Sequence, residues 1–263
     1  MALDETAIAD AAQRLLEHWM TGRVMPELPE HCKPASRAEG YAIQFAMLRA
    51  SSRSNYGWKI AATSLAGQSH IGVDGPLAGR IHHTQTIAAG GRIPIAASLM
   101  KVFEVEFAFR MARTLIPRAQ EYSVGEVMDA VASLHPAIEI PDSRLTRFAK
   151  AGAAQLIADN ACADRFMLGE ASPPGWRTLD LAAHQVKVEV SGREPVVGVG
   201  SNVLGDPRRA LCWLANELSR FGITLEAGQV VTTGTCIIPA EATPGMEVKA
   251  DFGALGSICA HFI

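Results

Sequence analysis

Apolar residues recur at helical spacing over the first fifty positions and at strand spacing beyond them. Ile8, Ala12, Leu15, Leu16 and Trp19 share one face at a 3.6-residue period, and Gly22 stands where such a helix closes. Ser36-Arg37-Ala38-Glu39 has the form of a capping box, in which the Ser oxygen and the Glu carboxylate each satisfy an orphan N–H. Tyr41, Phe45 and Leu48 then make the apolar stripe of that helix. After residue 55 short segments are punctuated by Gly57, Gly67, Gly72, Gly75-Pro76, Gly79, Gly90-Gly91 and Pro94, the texture of strands and turns. From 102 to 109 the alternation is clean, with Phe103, Val105, Phe107 and Phe109 on one face and Glu104 and Glu106 on the other. A second capping box, Ser123-Val124-Gly125-Glu126, predicts a helix over 123–134, with His135 as a structural residue near its end and a short strand at 137–140. Asp206-Pro207 opens a further helix whose buried face is Leu211, Leu214, Leu218 and Phe221. Strands are predicted at 186–190, 229–233, 246–250 and 257–262, and no internal repeat is visible. The reading is an α+β protein: a small, mainly helical part over 1–55 and a β-rich body over 56–263. Strands and helices do not alternate as a doubly wound sheet requires.

Composition narrows the class. At 263 residues the chain is one large domain or two small ones, and it can bury a core without disulfide staples. Hydrophobic residues at 48% against charged residues at 19% exclude a disordered chain and a coiled coil. Lys plus Arg is 24 and Asp plus Glu is 27, and the only adjacent basic pair is Arg208-Arg209, so no nucleic-acid partner is expected. No apolar run reaches the roughly 18 residues of a membrane span. The acidic Asp4-Glu5 start is unlike a signal peptide, so the expected location is the cytoplasm. The five cysteines, Cys32, Cys162, Cys212, Cys236 and Cys259, are odd in number and form no C-x-x-C, which points to buried thiols over a disulfide framework or a zinc knuckle.

Two features carry candidate chemistry. Period two places the carboxylates of Glu104 and Glu106 on one face of a strand, where they repel unless a cation joins them. Glu139 lies in the apolar run Ala137-Ile138-Glu139-Ile140-Pro141, and a buried Glu is costly without a partner. Three carboxylates suit a hard divalent ion; an amphipathic strand with its Glu residues in water is the other reading of the same spacing. Lys59, one of only six lysines, is flanked by Trp58 and Ile60. Desolvation there would lower its pKa and fit it to act as base, acid or anion clamp; a strand lysine snorkelling to solvent is the alternative. The Gly-rich stretch 198–205 lacks the G-x-G-x-x-G spacing and its βαβ context. His82 and His83 are neighbours, so on a strand they point opposite ways, and no G-x-S-x-G is present.

Taken in order, Gly57-Trp58-Lys59-Ile60, Thr63-Ser64, Gly72-Val73-Asp74-Gly75-Pro76, Lys101-Val102-Phe103-Glu104-Val105-Glu106, Pro136 to Arg144, Ile157 to Ala161, Thr232-Thr233-Gly234-Thr235 and Gly253 to Ser257 resemble the fumarylacetoacetate hydrolase superfamily. The resemblance is to its 2-keto-4-pentenoate hydratase / 4-oxalocrotonate decarboxylase branch. It implies a β-rich roll, a homo-oligomer, and Mg²⁺ or Mn²⁺ held by Glu104, Glu106 and Glu139. It further implies an active-site Lys59 and a substrate pocket that includes Leu77, Cys162 and Thr233. The implied substrate is a small 2-oxo acid, and the implied reaction is addition of water to a 2-hydroxydienoic acid through a metal-stabilised dienolate, in breakdown of aromatic ring-cleavage products. A decarboxylase passing through the same dienolate is the first alternative. An acylpyruvate-type C–C hydrolase, with His31 beside Glu30 as its water-activating group, and a non-catalytic oxo-acid-binding partner follow. Two departures matter. Leu77 stands where hydratases of the branch carry Asp, which resembles the decarboxylases more, and Cys162 stands where many members carry Ser.

Overall fold

The computed structural model describes residues 2–263. Its N-terminal part holds two helices, α1 (Glu5–Thr21) and α2 (Arg37–Ser51). The Asp4 carboxylate accepts from the Ala7 N–H, Gly22 closes α1 in the left-handed region, and both bonds of the Ser36/Glu39 capping box are formed. The two helices pack around Ala11, Leu15, Ile43 and Met47, a cluster that also takes in Leu145 and Ala158 from the body.

The chain continues through β1 (Asn55–Ala61), α3 (Leu65–Ile71), β2 (Leu77–His82), β3 (Thr86–Ala88), β4 (Arg92–Ile93) and β5 (Val102–Met111). Next come α4 (Val124–Asp129), β6 (Val131–Ile140), α5 (Gly152–Ala158), β7 (Arg165–Leu168), β8 (Gln185–Val190) and β9 (Val196–Val199). It ends with α6 (Pro207–Arg220), β10 (Val230–Thr235), β11 (Ala240–Glu241), β12 (Glu247–Asp251) and β13 (Ser257–Phe262). One mixed sheet runs β2-β1-β10-β5-β6-β7-β3, with β11 paired to β5, and a second runs β4-β13-β12-β8-β9. The core lies between them. Phe103 meets Phe262 with ring centroids 5.6 Å apart, and Phe107 meets Phe252 edge-on at 5.2 Å. Burying a side chain of that size contributes roughly 1.5–3 kcal/mol, which is why the aromatic face of β5 is fixed toward the second sheet. Its other face, with Glu104 and Glu106, is thereby turned away from that core. Among the described residues no helix is long and apolar enough to cross a membrane.

Local pattern misleads at two elements. In α2 the expected stripe of Tyr41, Phe45 and Leu48 is not the buried face: Phe45 is exposed, and Tyr41, Ile43, Gln44 and Met47 are buried. The helix predicted over 123–134 stops at Asp129, and from Val131 the chain is in β6, so 137–140 is the end of a ten-residue strand. Pairing with β5 from Met111 to Glu104 buries Leu134, Ile138 and Ile140, and that gain overrides the helical spacing. His135 is therefore a strand residue, bonded to the Gly169 carbonyl (2.9 Å) and the Ser133 hydroxyl (2.8 Å). In the Gly-rich stretch, a side chain at Gly200 would lie 1.8 Å from the Leu181 carbonyl. Close backbone packing accounts for that glycine.

Candidate metal centre

β5 and β6 are antiparallel neighbours, and their register sets Glu104 directly opposite Glu139. Glu106, two residues along β5, joins them on the same face, and one carboxylate oxygen from each of the three lies within 4.8 Å of the others. Both faces of β5 are covered at this point. Glu106 and Glu139 are fully buried and Glu104 is half-buried, which removes the reading of a solvated Glu face. Like charges opposite one another in a sheet are destabilising, more so away from water.

Few partners offset that cost. Glu106 Oε2 accepts from the Gly234 N–H at 2.7 Å and from the Thr232 hydroxyl, while its Oε1 has no hydrogen-bond partner. Neither oxygen of Glu139 has one, although Lys59 Nζ on β1 forms an ion pair with Glu139 Oε2 at 3.3 Å. Lys59 is 2% exposed and donates to the Ala161 carbonyl at 3.1 Å. Burial pushes its ammonium down, but the carboxylates of Glu139 and Glu104, the Cys162 thiol and Glu106 outweigh this and hold it above its ordinary value. The lowered pKa expected from its apolar neighbours in sequence is thus reversed by neighbours in space. Burial first, then the charge of Glu104, raises the Glu106 carboxyl to about 8 against the pull of Lys59, Thr232 and Gly234. Burial likewise raises Glu139 well above its usual range, with Lys59 opposing.

Fully ionised, as ligands of a cation must be, the three carboxylates and one ammonium carry two uncompensated negative charges. A single divalent cation balances that charge, and the orphaned oxygens of Glu106 and Glu139 are oxygen donors of the kind such an ion takes. The donor set therefore fits a hard divalent metal and leaves it coordination positions beyond three protein ligands.

The remaining candidates fall in different places. Cys162 is buried beside Lys59, and burial followed by the charge of Asp159 pushes its thiol up to about 12, so it stands as a neutral S–H. Thr233 commits its hydroxyl to the Phe107 carbonyl (2.8 Å), whereas its neighbour Thr232 reaches Glu106. Leu77 starts β2 opposite Ala61 and is fully buried in the main apolar cluster. His31 does not pair with Glu30: it meets Asp10 Oδ2 at 2.9 Å, an oxygen that Arg14 also holds at 2.8 Å. Sequence reasoning missed Thr232, Gly234 and the Ala161 carbonyl. The Thr-Thr-Gly run was visible, but which Thr faces the carboxylates depends on the register irregularity between Thr232 and Thr235.

A mixed sheet that presents a buried carboxylate triad and a lysine, preceded by a helical part, defines the class. The chain belongs to the fumarylacetoacetate (FAA) hydrolase family, whose C-terminal family model matches residues 76–263. Among its relatives, a 2-keto-4-pentenoate hydratase of Burkholderia vietnamiensis is 31% identical, with 98% of each chain covered. A 4-oxalocrotonate decarboxylase of Pseudomonas putida is 29% identical over 86% of this chain and 85% of its own. Among solved structures, 4-oxalocrotonate decarboxylase from Pseudomonas putida G7, complexed with magnesium and adipate, superimposes with a TM-score of 0.89 at 25% identity over 100% of this chain and 99% of that one.

Proposed function

We propose that the protein is a divalent-metal-dependent lyase that hydrates a 2-hydroxydienoic acid, the enol form of a 2-oxo-enoic acid, in the breakdown of aromatic ring-cleavage products. The observation that carries this reading is the buried triad of Glu104, Glu106 and Glu139 with orphaned oxygens and Lys59 at 3.3 Å, in a chain 31% identical to a 2-keto-4-pentenoate hydratase along nearly its whole length. Glu104, Glu106 and Glu139 are the ligands, and Mg²⁺ or Mn²⁺ suits their oxygen donors. When bound, the ion supplies Lewis-acid polarisation of the substrate's 2-oxo group. Lys59, held as an ammonium, attracts the substrate carboxylate and can deliver a proton to the carbon skeleton. The Gly234 N–H and the Thr232 hydroxyl fix the Glu106 carboxylate in one orientation. Cys162 and Leu77 complete the pocket, the first as a neutral thiol donor and the second as an apolar wall. The five free thiols suit a reducing compartment, and the reading includes a cytoplasmic homo-oligomer.

Decarboxylation is the second reading, favoured by Leu77, since a leucine cannot move the protons of an attacking water. Mass spectrometry of parallel reactions with 2-hydroxypenta-2,4-dienoate and 2-oxohex-3-enedioate, with Mg²⁺ and with chelator, tests both. Gain of one water on the dienoate, lost with chelator, is the expected result. Loss of CO₂ from the diacid alone replaces hydration by decarboxylation, and no change in either refutes the lyase assignment. Lys59→Ala is expected to lower turnover while Mg²⁺ affinity stays similar.

A further inference from the structure

Three consecutive residues that are not glycine, Asn160, Ala161 and Cys162, hold φ of 56°, 49° and 60°. The left-handed region disfavours L-residues, Asn least among these three, so a run of three persists only where its surroundings impose it. The surroundings do so from both ends. The Asp159 carboxylate, fully buried, accepts from the Ser143 hydroxyl at 2.6 Å and from Arg144 Nε at 2.5 Å. The same guanidinium donates to the carbonyl of Asp159 before the turn and to that of Ala163 after it. In the middle, the Asn160 side chain pairs like a strand with the main chain of β2, accepting from the Arg80 N–H at 2.7 Å and donating to the Arg80 carbonyl at 2.8 Å. β2 is an end strand of its sheet, so that backbone edge is open to it. A side chain at Gly79 would lie 2.2 Å from the Asn160 carbonyl, and only glycine admits the turn this closely. The result of all this is one carbonyl, that of Ala161, aimed at Lys59 Nζ.

We propose that the left-handed turn Asn160–Cys162 is the positioning device of Lys59, its Ala161 carbonyl holding the ammonium beside Glu139, with Asn160, Asp159 and Arg144 as positioning residues. The inference rests on the reading of Lys59 as the active-site lysine. A turn that served stability alone would have no bearing on the reaction. Relaxing it would then leave turnover unchanged.

Asn160→Ala tests this, since it removes the two bonds to Arg80 that pin the turn while Lys59, Glu139 and the Ala161 carbonyl group all remain in the chain. With the full chain, Mg²⁺ and 2-hydroxypenta-2,4-dienoate, kcat is expected to fall on the order of tenfold, because small misplacements of a reacting group are costly. KM should change little, and the melting temperature should fall, because two buried bonds are lost. Asn160→Asp keeps the bond from the Arg80 N–H and loses only the one to the Arg80 carbonyl, so it should lower kcat less, and if Asn160→Ala does not fold, Asn160→Asp still decides. Wild-type kcat in folded Asn160→Ala or, failing that, in Asn160→Asp overturns the inference, whereas wild-type kcat in Lys59→Ala overturns the reading beneath it. Should the dienoate not be turned over at all, the ammonium signal of ¹⁵N-labelled Lys59 carries the test, because Lys59 is the one buried lysine among the described residues. A sharp resonance in the wild type that broadens in Asn160→Ala supports the inference, and an unchanged one overturns it.

Discussion

Removing the metal should make the stability of this protein depend on pH in an unusual direction. Glu106 is fully buried and its carboxyl is raised from 4.5 to about 8 when no cation is present. A carboxyl raised by folding binds more protons folded than unfolded between those two values, so unfolding becomes easier as pH rises through that window. The difference is worth on the order of 5 kcal/mol at about 1.4 kcal/mol per tenfold change, an upper figure because Glu104, Glu106 and Glu139 titrate together. At roughly 2–4 °C per kcal/mol for a chain of this size, half of that is a fall in Tm of about 5–10 °C. Divalent metal acts the other way, since it must displace the same protons to bind, and its stabilisation should therefore grow as pH rises. Thermal unfolding near pH 5 and near pH 8, each with chelator and with Mg²⁺, measures both effects. The chelated protein should melt lower near pH 8, and Mg²⁺ should restore it there far more than near pH 5. A chelated Tm that is flat or rises across the window, with equal Mg²⁺ stabilisation at both ends, would refute the triad as a metal site.

Two further predictions concern the supports of the site. Arg144→Leu leaves the Asp159 carboxylate buried without its ion pair, and urea denaturation should show a loss of about 3–5 kcal/mol; a loss near zero would mean that the pair holds nothing. Gly234→Ala puts a Cβ 2.1 Å from the Thr63 hydroxyl at a φ of +99°, so it should destabilise by about 1–3 kcal/mol. Because the Gly234 N–H orients Glu106, calorimetry should also show weaker Mg²⁺ binding, and unchanged affinity would separate that bond from the site.

Period two alone made the shared face of Glu104 and Glu106 legible, because alternation is a property of any strand. What lies across from that face is a property of pairing. Glu139 stands opposite Glu104 only because β6 follows β5 in one register, and an apolar run around a Glu does not state that register. The same limit explains Lys59. Its neighbours in sequence argue for a lowered pKa, while carboxylates contributed by β5 and β6 reverse the sign. It also explains the helix expected over 123–134. The Ser123/Glu126 capping box is real and opens α4, but nothing local reveals that β5 waits to pair with the residues from Val131 onward. Caps and alternation are read within a few residues, and both served well in α1, α2 and β5. Contacts such as Asn160 with Arg80, 80 positions apart, are written nowhere in the local pattern.

The choice between hydration and decarboxylation rests on a different layer of the structure from the choice of metal. On the proposed reading the buried triad and Lys59 would serve either reaction, since each needs a polarised 2-oxo group and a proton donor, and each of the two relatives compared above carries one of the two names. Hydration makes one demand that decarboxylation does not: a group must take a proton from the attacking water. Leu77 cannot do so, and the Cys162 thiol, pushed up to about 12, stays protonated at neutral pH. On the proposed reading, a hydratase would pass that proton to a carboxylate of the cluster, and Glu104, half-buried where Glu106 and Glu139 are sealed, is the one of the three that water can reach. Glu104→Gln should then abolish hydration outright, where a decarboxylase that used Glu104 only as a ligand would recover activity at high Mg²⁺. Titrating that variant with Mg²⁺ distinguishes the two, and recovery of water addition at saturating metal would refute the role of Glu104 as acceptor.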